Sequence, residues 1–141
     1  MPSRVTAESD SKQITISIAD YIDEADSGCP ILSFEIQMDD GKGGAFTSVT
    51  TLPFLDLYYT ATKVEKSLVY RFRYRAQNCQ GWSTFSPELY VIAAEPPRRC
   101  EAAKLVSTSG TVIELKLTPS GDNMGSVVTD YVVYRNQGNN D

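Results

Sequence analysis

The stretch Leu68-Val69-Tyr70-Arg71-Phe72-Arg73-Tyr74-Arg75-Ala76 carries the strongest alternation in the chain. Leu68, Tyr70, Phe72, Tyr74 and Ala76 fall on one side of a two-residue period, and Arg71, Arg73 and Arg75 on the other. Successive side chains of a strand point to opposite faces, so the stretch reads as a strand with its apolar side on a core and its cationic side outward. Upstream, Phe34, Ile36 and Met38 alternate with Glu35, Gln37 and Asp39. The run Asp39-Asp40-Gly41-Lys42-Gly43-Gly44 is then a tight turn, because glycine supplies the positive φ such turns need. Phe46 to Leu52 resumes as a strand. Nearer the N-terminus, Ile14, Ile16 and Ile18 alternate with Thr15 and Ser17. Downstream, residues 78–87 read as a loop and Leu89 to Ala94 as a closing strand. No segment keeps a 3.6-residue apolar period over three turns, so the expectation is an all-β sandwich.

The pattern then restarts. Glu95-Pro96-Pro97 is a stiff, proline-bearing linker of the kind that separates domains. After it, Val112-Ile113-Glu114-Leu115-Lys116-Leu117 repeats the alternation of Ile14 to Ile18. Val127 to Tyr134 repeats that of Phe34 to Met38, and Asn136-Gln137-Gly138-Asn139 repeats its turn. From Phe34 to Tyr131 the period is 131 − 34 = 97 residues, too long for a solenoid and suited to beads on a string. Residues 1–95 are expected to form one complete unit, and residues 96–141 the first half of a second.

Bulk properties narrow the function. At 141 residues, 41% hydrophobic and 22% charged, the chain can bury a core. A net charge of −5 argues against nucleic acid as a partner, since phosphate binding needs clustered surplus cations. No apolar run approaches the ~20 residues that span a bilayer, so no membrane insertion is expected of this segment. Histidine is absent, which removes the commonest general base and metal ligand. Without it, and with no glycine-flanked nucleophile turn, the serines and threonines read as strand-face residues. No glycine loop of the phosphate-cradling kind occurs. The expectation is a non-enzyme with no cofactor, no metal and no catalytic residues.

Over residues 1–95 the chain resembles a fibronectin type III domain. Pro2 stands at the entry, Ile14-Thr15-Ile16-Ser17-Ile18 resembles strand B, and Pro30-Ile31-Leu32-Ser33-Phe34-Glu35-Ile36 resembles strand C, with Phe34 at the usual tyrosine position. Val64 through Tyr70 is similar to the corner between strands E and F, which implies that the Tyr70 hydroxyl bonds back to backbone. Ala76-Gln77-Asn78, Gly81-Trp82-Ser83 and Ser86-Pro87 resemble the pattern around the F–G loop. The family usually has a tryptophan in strand B, where Ile18 and Leu117 stand here. No Arg-Gly-Asp triplet is present, so integrin binding is not carried over. The Asp39-Asp40-Gly41 turn and the arginine-alternating strand also resemble repeats of large surface proteins of single-celled eukaryotes.

The resemblance organises the remaining features. It makes strands C and F neighbours, so Glu35, Gln37 and Asp39 face Arg71, Arg73 and Arg75. Opposite charges across a strand pair stabilise by roughly 0.2–1 kcal/mol each, and a charge ladder on a solvated face is favoured over a stripe for an anionic glycan. Asp39 and Asp40 supply too few oxygens for calcium and read as a solvated turn. Gln80, Trp82 and Phe85 lie in the F–G loop, where this fold presents binding residues. They are a candidate contact loop, and they equally suit capping of the core end. Cys29 and Cys79 belong by the resemblance to loops at one pole, so a disulfide is favoured over two reduced thiols. Closing 79 − 29 = 50 residues would contribute about 4 kcal/mol and imply an oxidising compartment. Cys100 lies past the linker.

A half sandwich leaves Ile113, Leu115, Tyr131 and Val133 without a facing sheet. The expected partners are therefore other protein chains, including copies of this one by strand addition or end-to-end contact. The reading is a structural or adhesive repeat module of an elongated extracellular array. Its alternatives are an intracellular scaffold of cytoskeletal or ciliary type, and a receptor ectodomain whose loops bind a ligand.

Overall fold

The computed structural model describes residues 1–6, 9–18 and 29–136. Alternation sets the strands of a β-sandwich. One sheet joins β1 (Ser3–Arg4), β2 (Gln13–Ser17) and β5 (Tyr58–Thr62) in the order β1-β2-β5. The other runs from β4 (Thr47–Ser48) through β3 (Ser33–Met38) to β6 (Val69–Asn78). Two short strands, β7 (Gly81–Trp82) and β8 (Leu89–Ile92), share the far edge of β6. All these pairings are antiparallel.

The apolar halves of the alternating strands meet between the sheets. Ile14 and Ile16 of β2 face Phe34 and Ile36 of β3, Tyr70, Phe72 and Tyr74 of β6, and Val91 of β8 in one cluster. Phe72 is fully buried, and burying a side chain of that size contributes about 1.5–3 kcal/mol. Tyr70 ties the chain between the sheets: its hydroxyl accepts a hydrogen bond from the Glu65 N–H at 2.8 Å. Gly41, at φ 73°, lies so close beneath the Tyr70 ring that a Cβ there would stand 2.9 Å from it.

The strand expected over Phe46–Leu52 is shorter, only Thr47–Ser48. Beyond it the chain still follows β3 through backbone and side-chain groups together: the Val49 N–H donates to the Ile36 carbonyl (2.9 Å) and the Phe34 N–H to the Phe54 carbonyl (2.7 Å). The Ile36 N–H donates to Thr50 Oγ1 (3.1 Å), and the Phe54 N–H donates to Ser33 Oγ (3.0 Å). Pro53 has no N–H to give, so the ladder cannot continue regularly. The closing strand ends at Ile92, although the Ala93 N–H still donates to the Leu68 carbonyl.

After the linker, β9 (Lys104–Ser109) and β10 (Val112–Lys116) form an antiparallel hairpin. Every residue in it is exposed, including Ile113 at 64%. Val127 to Tyr134, where alternation suggests a strand, carries no strand. A strand needs a neighbour for its N–H and C=O groups and a cover for its apolar face, and among the described residues this segment pairs with no strand. The turn read at Asn136 to Asn139 lies, after Asn136, outside the described residues.

Candidate functional site

The register of β3 against β6 places Glu35 opposite Arg75 and Gln37 opposite Arg73 on the outward face of the sheet. Arg75 Nε donates to Glu35 Oε2 at 2.5 Å. Arg73 donates from Nε (3.0 Å) and Nη2 (2.8 Å) to Gln37 Oε1. Arg71 donates to Asp39 from its backbone N–H and its Nε, both at 2.8 Å, and from Nη2 to the Gly44 carbonyl at 2.7 Å. Glu88 adds a looser ion pair to Arg71 at 3.8 Å.

Rings fill the gaps between these forks. Phe46 lies 4.9 Å from the Arg71 guanidinium carbon and 4.1 Å from that of Arg73. Phe85 lies 4.1 Å from Arg73 and 4.8 Å from Arg75, and Trp82 lies 4.7 Å from Arg75. Cations and rings thus alternate from Arg71 to Trp82 across the face. Such contacts stabilise by about 0.5–1 kcal/mol each when exposed and more when desolvated.

A three-residue period positions two of the rings. Trp82 and Phe85 are three apart, as are Ser83 and Ser86, the repeat of a polyproline II turn. Each serine faces β6 and uses two groups on it. The Ser83 N–H donates to the Ala76 carbonyl (2.8 Å) while its Oγ accepts from the Ala76 N–H (3.0 Å). Ser86 does the same with Tyr74, at 2.8 and 3.1 Å. With the serines held on the backbone, the rings are turned onto the arginines.

The electrostatics follow from this packing. Burial alone would raise the Asp39 carboxyl, but the hydrogen bonds from Arg71 and the Gly41 N–H outweigh it and hold the group below the usual carboxylate range. Glu35 is lowered in the same way, its burial outweighed by Gln37 and Arg75. Asp39 is therefore no member of a solvated turn; its side chain is fully buried beside Arg71. Asp40 does face solvent and accepts from the N–H groups of Lys42 (2.9 Å) and Gly44 (3.0 Å). Among the described residues no group of three or more acidic, cysteine or histidine side chains could hold a metal.

Gln80 lies at the exposed tip of the loop, its N–H donating to Asn78 Oδ1 at 2.9 Å. Trp82 and Phe85 are half-buried, each with one face on an arginine. Cys29 and Cys79 are brought into bonding contact at the same pole, with Cα atoms 5.7 Å apart, inside the span a disulfide requires. Cys100 is free and exposed. Phe46, which completes the row of rings, follows a glycine-rich turn, and nothing in its spacing marks it out.

No family model matches the chain. Among solved structures it is similar to a run of titin domains at 17% identity and a TM-score of 0.54, over 67% of this chain and 31% of that one. It is also similar to a structure described as that of a myokine, at 13% identity and a TM-score of 0.52, over 65% of this chain and 94% of that one. A third likeness is to the kinase region of twitchin from C. elegans, at 18% identity and a TM-score of 0.50, covering 65% and 16% respectively. The chain thus spans less than a third of the titin chain it matches. At these identities the likeness establishes the fold, an immunoglobulin or fibronectin type III-like sandwich.

Proposed function

We propose that this fibronectin type III-like sandwich is a structural repeat module of an elongated, extracellular array, and that it works mechanically rather than by chemistry. The observation that carries the reading is the outer face of β3 and β6. Its three guanidinium groups are engaged by Glu35, Gln37, Asp39 and three rings of the same domain. A face braced in this way stiffens the unit and leaves little for an anionic glycan to bind. The internal repeat supports an array, with residues 96–141 as the opening half of the next unit. The likeness to a run of titin domains fits the same picture. The exposed apolar hairpin of β9 and β10 is then covered either by later strands of the same chain or by strands from a neighbouring copy.

Two measurements test the reading on native material. Non-reducing peptide mapping should recover Cys29 and Cys79 in one linked pair of peptides, as expected outside the cell. Free thiols at both positions would overturn that compartment and bring forward an intracellular scaffold. Titration with a sulfated oligosaccharide at physiological salt should give no saturable binding. Binding that is lost on Arg73→Gln would make the face a ligand site instead.

A further inference from the structure

The turn at residues 120–126 grips the end of the sandwich from which the linker leaves. Asp122 Oδ1 accepts from Lys66 Nζ at 2.8 Å, and Asp122 Oδ2 lies 3.9 Å from Arg98 Nε. Two backbone bonds flank this pair: the Glu95 N–H donates to the Met124 carbonyl (3.1 Å), and the Arg98 N–H donates to the Asp122 carbonyl (3.3 Å). The linker is also tied on its other side, since Glu95 Oε1 accepts from the Ser11 N–H and hydroxyl, and Arg4 donates to the Ala94 carbonyl.

The turn is shaped for close approach. Asp122 Oδ1 also accepts from the Met124 N–H at 2.8 Å, so the carboxylate that meets Lys66 organises its own loop. Met124 and Gly125 both have positive φ, 54° and 98°. A Cβ on Gly125 would lie 3.0 Å from Lys66 Cγ, 3.1 Å from the Ala93 oxygen and 3.2 Å from the Ser67 nitrogen. The Ser67 N–H and Ala93 carbonyl are themselves bonded to each other at 2.9 Å. The turn therefore seats against a closed hydrogen bond of the sandwich, with no room for a side chain.

We propose that residues 120–126 form a latch, centred on Lys66 and Asp122, that fixes the direction in which the chain leaves the sandwich. Pro96 and Pro97 stiffen the linker along its length but do not determine its angle. The contacts to Lys66, Ala93, Glu95 and Arg98 do. Because Lys66 and Asp122 are each about 40% exposed, at 39% and 40%, their pairing is open to screening by salt. The joint is then rigid at low ionic strength and loosened at high. This holds whichever compartment the protein occupies and whether or not it assembles.

The test uses the full chain, with amide hydrogen exchange read by NMR at Glu95 and Arg98, whose N–H groups donate to the turn. Both should be protected at low salt and lose at least tenfold of that protection in Asp122→Asn and in Gly125→Ala, while the β3 and β6 amides keep theirs. Lys66→Gln, which removes the charge pair but leaves Asp122 to accept from the Met124 N–H, should lower the protection in the same direction. Nitrogen relaxation should give the β9–β10 amides the sandwich's tumbling time in the wild-type chain at low salt and a shorter one in Asp122→Asn. Unprotected Glu95 and Arg98 amides in the wild-type chain, or a variant that leaves both protection and tumbling unchanged, would overturn the latch.

Discussion

Replacing Asp39 with alanine removes a fully buried side chain on which three donors converge: the Arg71 N–H and Nε at 2.8 Å, and the Gly41 N–H at 3.1 Å. Breaking one partner of a buried ion pair costs about 3–5 kcal/mol, because the other charge is left uncompensated. Arg71 is 23% exposed and retains the Gly44 carbonyl and Glu88, so the loss should lie near the lower end, about 3 kcal/mol. Asp39→Asn keeps an acceptor oxygen for the two backbone N–H groups but sets an amide N–H against Arg71 Nε and leaves the guanidinium without its buried carboxylate, so it should recover only part of that loss and cost about 2 kcal/mol. Urea titration of the full chain followed by Trp82 fluorescence reads the difference, since Trp82 is the single tryptophan and is part of the same face.

The acid limb of the stability curve tests the same pair. The folded carboxyl of Asp39 is depressed, so its contribution is fully present above the unfolded value of about 3.9 and is lost as pH falls through the lower folded value. Glu35, also depressed, adds to this loss below about 4.3. Asp39→Asn should flatten part of the decline below about pH 4. A loss under about 0.5 kcal/mol for Asp39→Ala, with an unchanged acid limb, is what an exposed ion pair would give and would refute the reasoning.

Tyr70→Phe leaves the Glu65 N–H without its acceptor and should lower stability by about 1–2 kcal/mol, read as a shift in urea midpoint with unchanged slope. Gly41→Ala must both hold a left-handed backbone and push against the Tyr70 ring, for a loss of about 2 kcal/mol or more. Gly43→Ala has φ 81° but nothing within 4 Å, so about 1 kcal/mol; equal losses at the two glycines would contradict the packing. If Cys29 and Cys79 are linked in native material, reduction should lower stability by about 4 kcal/mol, visible as a drop in thermal midpoint that Cys100→Ser does not reproduce.

The sandwich was legible in the sequence because its central strand alternates so strongly. Tyr70, Phe72 and Tyr74 are buried as their period demands, and Glu35, Gln37 and Asp39 meet the arginines they were expected to face. Composition failed at Asp39: a run of aspartates and glycines reads as solvated, and only the register of β3 on β6 shows one carboxylate turned under a guanidinium. Phe46 could not be found either, because a ring that reaches back over a neighbouring strand leaves no periodic trace. The alternation at Val127 to Tyr134 had the opposite effect, suggesting a strand where none forms. A two-residue period states which face would be buried, not whether a partner is there to bury it. Lys66 and Asp122 are 56 residues apart, and no local pattern connects them.

The three-residue repeat of Trp82, Ser83, Phe85 and Ser86 makes this part of the loop length-locked. One residue inserted or deleted between the two serines would rotate a ring toward the β6 backbone and a hydroxyl toward the guanidiniums, undoing both sets of contacts together. Substitution is tolerable there only at Thr84, the exposed position between them. Insertions that give a module a new specificity would have to enter instead at the Gln80 tip or around Gly43, where a Cβ meets nothing within 4 Å. A foreign loop grafted at the tip keeps the stack, whereas the same loop grafted three residues later dismantles it.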